Sequence, residues 1–485
     1  MRYIVTPDEM RAAEQAAFGR GVSSLLLMEE AARQALEPLK ALLPAGGAAV
    51  FLCGPGNNGG DGLAMARMWR RMGNQAAIVL PQEPKTEDAR TNLRYAQALG
   101  IPVTAEPQGK PDGIVDALFG TGFHGAIAAD SVMGRLIAWA NDAGCPVLAV
   151  DIPSGMDGLT GQAEGACIRA SKTVTFHAAK RGLIFTPCRE LAGDLMIADI
   201  GLPQGAGIPW AYDLRELLPP RRADAHKGDC GRVVIHAGSM GMAGAAAMAA
   251  LSCLRAGSGL VTVVCPRELI PILQKTVPNA MCRAAEERPR VPCSARLLGC
   301  GMAETEENWQ ELVRLHDQGV WEVWDAGALN LLAKQPMALG GRAVITPHVG
   351  EAARLLGCDT AAILADPIAA AQALAKKYGC SAVLKSAVSV ICAADGSLAI
   401  NAVEAPALAK GGSGDALAGI LASLLGQGLP PMAAMQAACL WLSLAGRLAG
   451  QKYGVRGALT GEVIDCMGEV ERDALSSGKR VRAFF

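Results

Sequence analysis

Apolar residues in this chain fall into short blocks punctuated by glycine-rich or polar turns. Ala48–Cys53 is an unbroken apolar run, Gly54–Gly62 is rich in glycine and polar, and Leu63–Met72 is apolar at helical spacing. Ala76–Leu80, Gly113–Leu118 and Pro146–Val150 repeat the strand pattern, each bounded by Gly, Pro or Asp, with helical stretches between them. Short continuous apolar runs fit strands buried on both faces. Strands alternating with helices predict a parallel sheet covered on both sides. At the front of the chain, Thr6, Pro7 and Glu9 predict a capping box that opens the first helix.

The alternation weakens across Gly201–Leu218, where Gly and Pro cluster. A boundary near residue 213 divides the 485 residues into two domains, 1–213 and 214–485. A second series of strands then begins at Arg232–Ala237, Leu260–Cys265, Val320–Trp324, Ala343–Ile345 and Ala382–Leu384. Its helices are expected at Ala243–Arg255, Ala416–Leu425 and Met432–Leu448. The expected class is α/β in two domains, the first a Rossmann-like three-layer parallel sheet. The halves share a style but no residue-level repeat.

Composition narrows the partners. The formal net charge is −1, which argues against nucleic acid. The densest basic spot, Arg221, Arg222, His226 and Lys227, reads as a solvated linker, with a phosphate contact as the alternative. The 15 Cys form no CxxC pair and the six His form no HExxH, so neither zinc nor a redox pair is expected. Cys253, Cys392 and Cys439 sit in apolar strings as small buried hydrophobes, which fits a reducing cytosol. The amino terminus lacks the apolar core of a signal peptide. No run reaches ~18 uninterrupted apolar residues; Gly241–Leu254 comes nearest, ends at Arg255 and reads as a buried helix. A cytoplasmic protein without a membrane segment is the expectation.

Three motifs in the first half carry chemistry. Cys-Gly-Pro-Gly-Asn-Asn-Gly-Gly-Asp-Gly (53–62) lies between strand and helix. Glycines there let backbone amides approach a ligand, and a helix N-terminus favours an anion such as phosphate. It is not GxGxxG, and a plain tight turn is the simpler alternative. Asp116-Ala-Leu-Phe-Gly-Thr-Gly-Phe-His-Gly and Asp151-Ile-Pro-Ser-Gly each follow a buried strand. Ligands of open parallel sheets sit beyond the carboxyl ends of strands, so the three loops predict one crevice. Asn58, Asp116 and Ser154 offer only hard oxygen donors, which suit a hard cation.

In that order the motifs resemble the NAD(P)H-hydrate epimerase domain, and Thr173–Phe176 with Lys180-Arg-Gly-Leu resembles its closing strand. The resemblance covers most of residues 1–210. It implies substrate contacts at Asn57, Asn58, Gly59, Gly60 and Asp61, at Gly120, Thr121, Gly122, Phe123, His124, Gly125 and Ala126, and at Asp151. It implies a potassium ion (K+) at Asn58, Asp116 and Ser154. Glu30 departs from the Asn more usual there. In hydrated NADH a hydroxyl sits on the carbon beside the ring nitrogen. The nitrogen lone pair can expel it, and return from the other face inverts the centre. That needs a positioned acid/base group, for which Asp151 is the candidate; turn formation is its alternative role.

In the second half, His236-Ala-Gly-Ser-Met-Gly-Met-Ala-Gly-Ala-Ala follows a strand and is by itself a weak signal. Lys410-Gly-Gly-Ser-Gly-Asp415 before a long apolar helix is stronger: the amides of Gly412–Gly414 can cradle an anion. An Asp at that point can deprotonate a hydroxyl facing the anion, the logic of phosphoryl transfer, or can simply be a first-turn helix residue. This pattern resembles the ribokinase-like superfamily. His226-Lys-Gly-Asp-Cys-Gly-Arg, Ala256-Gly-Ser-Gly-Leu-Val-Thr, Asp325-Ala-Gly-Ala-Leu-Asn-Leu-Leu and Thr346-Pro-His-Val-Gly-Glu-Ala-Ala narrow it to the ADP/ATP-dependent NAD(P)H-hydrate dehydratases over roughly residues 214–475.

That resemblance implies dinucleotide contacts at Ala245, Gly301 and His348, and adenine-nucleotide contacts at Lys385, Ser386, Ala387, Val388, Ser389 and Gly414. It makes Asp415 the base. ADP would phosphorylate the ring hydroxyl, with Mg2+ bridging the phosphates, and phosphate would then leave. Departures cluster here: Cys300 in Leu-Gly-Cys-Gly-Met, Ala326 after Asp325, Ser386, Glu404-Ala-Pro and Lys410. The expected partners are NADHX and NADPHX (hydrated NADH and NADPH) and an adenine nucleotide, with self-association through exposed faces. Two alternatives stand beside the bifunctional expectation: a ribokinase-like kinase of a vitamin precursor, and a non-catalytic dinucleotide-binding regulator.

Overall fold

Ala48–Cys53 forms the strand that its apolar run predicts, and it is apolar on both faces because both are covered. Phe51 joins one buried layer with Leu63, Ala89 and Val115, while Val50 and Leu52 join another with Ile114, Leu136 and Ile137. A computed structural model describes residues 2–185, 188–203 and 207–476. The chain divides into two units, Arg2–Ile208 and Pro209–Phe485.

In the first unit seven parallel strands run in the spatial order Val103–Thr104, Gln75–Val79, Ala48–Cys53, Gly113–Ala117, Val147–Val150, Lys172–Phe176, Asp194–Ala198. The chain winds from Ala48–Cys53 to one edge, returns to Gly113–Ala117, and winds to the other. Helices Ser24–Leu42, Asn57–Arg71 and Glu87–Ala98 bury their apolar stripes in one layer, and Val132–Asp142 in the other. Thr6 and Glu9 form the expected capping box, Glu9 N donating to Thr6 Oγ1 at 3.1 Å and Thr6 N to Glu9 Oε2 at 2.7 Å.

The helix expected at Leu63 starts at Asn57, with Gly56 as its N-cap. Its glycines permit close packing rather than a loop. A Cβ on Gly59 would lie 1.8 Å from Gly54 O, one on Gly60 2.6 Å from Met28 Cε, and one on Gly62 2.6 Å from Ala117 Cβ. The first helical turns thus lie directly against the strand ends.

The second unit is built on a nine-stranded sheet in the spatial order Met281–Ala284, Leu260–Cys265, Arg232–His236, Ala295–Leu298, Trp321–Trp324, Ala343–Ile345, Ser381–Leu384, Ser389–Cys392, Leu398–Asn401. The first seven are parallel, and a hairpin adds the last two antiparallel. Winding again reverses, between Arg232–His236 and Ala295–Leu298. Helices Ala243–Arg255 and Ser413–Gly426 pack so closely that a Cβ on Gly419 would meet Ala249 O at 2.3 Å. Helix Pro431–Tyr453 is long and apolar enough to cross a membrane, but 78% of its most apolar window is buried in the protein, as for a core helix.

Among the described residues the cysteines are free. The basic cluster engages its own neighbours: Arg222 pairs with Asp224 at 2.6 Å and Arg221 donates to Gly257 O at 2.5 Å. Glu30 pairs with Arg33, its Oε2 accepting from Arg33 Nε at 2.8 Å.

Gly62→Ala is expected to destabilise the amino-terminal unit by about 1–3 kcal/mol, because the added methyl meets Ala117 and Cys53 inside a packed core. Chemical denaturation should show an earlier first transition with the carboxy-terminal one unmoved. An unchanged midpoint would contradict the close-packing account.

Candidate active sites

The first site lies where winding reverses, beyond the ends of Ala48–Cys53 and Gly113–Ala117. A cavity of about 690 Å3 opens there, lined by Asn57, Asn58, Asp61, Gly120, Thr121, Gly122, Phe123, His124 and Asp151. The three motifs therefore meet. Gly59 and Gly60 are buried behind the wall, while Gly125 and Ala126 are exposed and outside the lining. Asp116 and Ser154 have no exposed surface and lie among the supporting residues. Glu14, Lys85 and Lys180 also line the cavity.

Asp151 is held in an unusual backbone state, with φ +70°, a left-handed conformation that costs of order 1–3 kcal/mol. Its N–H donates to Val174 O at 2.7 Å. Oδ2 accepts from Thr121 N at 3.0 Å, and Oδ1 accepts from Thr175 Oγ1 at 3.2 Å and faces Lys180 Nζ at 2.7 Å. Lys180 is 1% exposed and also donates to Thr175 Oγ1 and Phe176 O, both at 3.0 Å. Burial alone would raise the Asp151 carboxyl; the Lys180 charge and these hydrogen bonds outweigh it and hold it below its ordinary range. Burial, then the charges of Asp151 and Glu14, push Asp61 the other way, well above it. Burial likewise raises Glu14.

Asp116 Oδ2 accepts from Ser154 N at 2.8 Å and Oδ1 from Ser154 Oγ at 2.6 Å. Burial pushes Asp116 up to about 6 against these bonds. Both amide atoms of Asn58 are buried without a hydrogen-bond partner. A Cβ on Gly120 would touch Asn58 Cβ at 3.2 Å and Asp151 Oδ2 at 3.1 Å, so these three residues adjoin. An unsatisfied buried amide costs about 1–3 kcal/mol, which a ligand would relieve.

The second site starts at the other winding reversal and extends along the ends of the strands next to it. Gly301, at φ +64°, passes so close to Ala245 that a Cβ would lie 2.8 Å from Ala245 Cβ. Asp415 sits in the first turn of Ser413–Gly426, behind Gly412 at φ +94°. Lys385, at the end of Ser381–Leu384, pairs with Asp325 Oδ1 at 2.6 Å, and Thr346 Oγ1 donates to that oxygen at 2.9 Å. A Cβ on Gly414 would lie 3.2 Å from Lys385 Nζ, which places the ammonium at the mouth of the helix. Burial, then the charge of Asp325, push Asp415 up to about 6. Ligand atoms of Cys300, Asp325 and Asp415 lie within 4.8 Å of one another. Burial keeps the Cys300 thiol far above its ordinary range. Ser413 Oγ is buried without a partner.

His348 has a structural task. Its Nδ1 caps helix Val349–Leu356, accepting from Gly350 N at 3.0 Å and Glu351 N at 3.4 Å, and Glu351 Oε2 accepts from His348 N at 2.9 Å. The proton therefore belongs on Nε2, and half of the side chain remains exposed. Lys385–Val388 connects two antiparallel strands, the second starting at Ser389, with Ser386 Oγ donating to Val388 O at 2.5 Å and Ala387 exposed. Ala326 carries φ +48°, a second strained position, immediately after Asp325. Lys410 Nζ donates to Arg456 O at 2.8 Å beside a cavity that Gly411 and Thr460 also line.

The motifs bring together most of the residues singled out in the sequence. They did not single out Lys180, Glu14, Asp325 or Glu351. Lys180 and Asp325 stood inside quoted motifs, Lys180 beside Arg181 and Asp325 at the end of an apolar strand. Glu351 stood three residues after His348, the spacing of a capping box; nothing local marks Glu14.

Residues 24–182 match the family described as YjeF-related protein N-terminus, and residues 233–467 match NAD(P)H-hydrate dehydratase. The chain is 36% identical over 517 residues to the bifunctional NAD(P)H-hydrate repair enzyme Nnr of Moorella thermoacetica, covering 97% of each. It is 36% identical to the enzyme of that name from Escherichia coli, covering 95% of this chain and 92% of the relative. A crystal structure of ADP/ATP-dependent NAD(P)H-hydrate dehydratase from Bacillus subtilis, co-crystallised with ATP and Mg2+, is similar with TM-score 0.52 and 26% identity, covering 55% of this chain and 99% of that one.

His348→Ala should lower stability by about 1 kcal/mol through the lost cap, and His348→Asn, itself a good cap, should restore most of it. Thermal unfolding checks this; equal losses in both variants would contradict the capping role.

Proposed function

The chain belongs to the family of bifunctional NAD(P)H-hydrate repair enzymes, and on that premise we propose which residues perform each of its two reactions. The amino-terminal site interconverts the R and S forms of NADHX and NADPHX. The observation that carries this assignment is Asp151, an anion fixed by Lys180 on the wall of the cavity at the winding reversal. The substrate contacts are Asn57–Asp61, the loop from Gly120 to Ala126, and Asp151.

A potassium ion belongs with Asn58, Asp116 and Ser154. All three offer oxygen, Asn58 Oδ1 has no partner, and among the described residues the buried Asp116 carboxylate has no ion-pair partner. Such an ion would neutralise Asp116 and fix the Asn58 amide.

The carboxy-terminal site dehydrates the S form with an adenine nucleotide. Asp415 takes the proton of the ring hydroxyl as that oxygen accepts phosphate. Its raised acidity range suits a group that must pick up a proton near neutrality. The Lys385 ammonium, beside Gly414, neutralises phosphate charge at the helix N-terminus. Lys385–Ser389 and Gly414 hold the nucleotide; Ala245, Gly301 and His348 hold the dinucleotide. Mg2+ supplies further charge neutralisation on the phosphates. Asp325, beside Lys385, would be the hard oxygen donor for such an ion, whereas the protonated Cys300 thiol is a poor partner for a hard cation. After transfer, the ring nitrogen expels phosphate and loss of a carbon-bound proton restores NAD(P)H. A bare kinase of a vitamin precursor would leave the amino-terminal cavity without a task.

Supplied with both epimers, ADP and Mg2+, the protein is expected to return NADH absorbance from both; recovery from only one would mean that the amino-terminal site is silent. Asp415→Asn should abolish that recovery while adenine nucleotide still binds by calorimetry. A fully active variant would overturn the assignment.

A further inference from the structure

The epimerisation assigned above moves two protons, one to the departing hydroxyl and one from the incoming water. Asp151 is poorly suited to the first task. Its Oδ1 is engaged by Lys180 and Thr175, its Oδ2 by Thr121 N, and Lys180 is itself saturated by Asp151, Thr175 and Phe176. That arrangement stabilises a carboxylate, not a carboxylic acid.

Asp61 stands differently. It lines the same cavity, on the helix Asn57–Arg71 rather than at a strand end. Among the described residues it has no ion pair. The charges that bear on it are Asp151, Glu14 from helix Pro7–Phe18, and the single cation Lys180, which Asp151 already occupies. Arg11, Lys85 and Asp88 also line the cavity, and Arg11 acts on Glu14. Of the four carboxyls that line this cavity, Glu14, Asp61, Asp88 and Asp151, only Asp151 is paired with a cation among the described residues, and a buried, unpaired carboxyl beside that anion, as Asp61 is, is held as the acid.

We propose that Asp61 is a second catalytic residue of the amino-terminal site, the acid that protonates the departing hydroxyl, with Asp151 as its anionic counterpart. This rests on the epimerase assignment above. The Asp61 proton passes to the hydroxyl oxygen as the carbon–oxygen bond breaks, and water departs. The ring-nitrogen lone pair becomes the second bond of a carbon–nitrogen iminium, whose positive charge the Asp151 carboxylate offsets. Water then adds to the opposite face, its oxygen bonding to carbon and its proton passing to Asp151, while the electron pair returns to nitrogen. Proton exchange with solvent returns the starting state, and the reverse reaction exchanges the two roles. No oxidant or reductant enters.

The raised range of Asp61 supports this order of events, since a carboxyl that holds its proton near neutrality can act as an acid there. The sign follows: activity through Asp61 is present at low pH and lost as pH rises past its own raised value, so the rate profile gains an alkaline limb.

The experiment uses the full chain without ADP and follows R–S interconversion of NADHX by chromatography above the spontaneous rate. Absence of wild-type catalysis would fail the epimerase assignment itself, before any variant is compared. With catalysis present, Asp61→Asn should lower kcat by roughly a hundredfold or more, leave KM within about threefold, and remove the alkaline limb. Asp61→Glu should retain the limb at a shifted position. ADP-dependent dehydration of the S epimer by the same preparations reports folding of the chain, and unfolding of the amino-terminal unit is checked by its denaturation transition. If Asp61→Asn does not fold, the Glu variant decides through its limb. A kcat within threefold of wild type, a KM that rises as fast as kcat falls, or an alkaline limb that persists in the Asn variant or stays unshifted in the Glu variant would overturn the proposal.

Discussion

A parallel sheet whose chain winds first to one edge and then to the other leaves a crevice between two adjacent strand ends, because the segments that follow those strands turn to opposite faces. Each unit of this protein reverses winding once. The reversals lie between Ala48–Cys53 and Gly113–Ala117, and between Arg232–His236 and Ala295–Leu298. Residues assigned to chemistry gather at those points and, in the second unit, at the ends of the neighbouring strands Trp321–Trp324, Ala343–Ile345 and Ser381–Leu384, which Asp325, His348 and Lys385 follow. Asn58, Gly120 and Asp151 converge at the first, and Gly301 with Ala245 marks the second.

Glycine makes the first crevice usable by bringing the helix down onto the sheet. With the start of Asn57–Arg71 packed on Gly54 and Ala117, the side chains of Asn57, Asn58 and Asp61 reach the cavity from a rigid helix. The same residues read as a loop in the sequence, because glycine runs are ordinarily breakers. Only the distances to Gly54, Met28 and Ala117, residues brought near by the fold, show a helix that tolerates no side chain there.

The layered architecture and the meeting of the motifs were legible, since strand periodicity and strand-end motifs are local. Electrostatic partners were not. Glu14 and Lys180 are separated from Asp151 in the chain, and only folding makes them neighbours. His348 shows the converse: a residue marked for binding also caps a helix, a role the Glu three positions later already hinted at.

The two sites use opposite electrostatics. Lys180 holds Asp151 ionised, so the pair contributes stability at neutral pH that is lost as pH falls through the lowered range of Asp151. Asp415, raised to about 6 by burial and Asp325, favours folding when protonated, a contribution lost as pH rises from the ordinary carboxyl range through that value. A strong anion and a poised base are different tools, and the account's central claim is that they serve separable reactions in one chain. Mixing an Asp151→Ala chain with an Asp415→Asn chain, with both NADHX epimers, ADP and Mg2+, tests that claim most directly. The account predicts that the mixture restores NADH from the R epimer as well as the S, at a rate above spontaneous epimerisation that neither variant alone achieves. Recovery confined to the S epimer at the rate of the Asp151→Ala chain alone would contradict it.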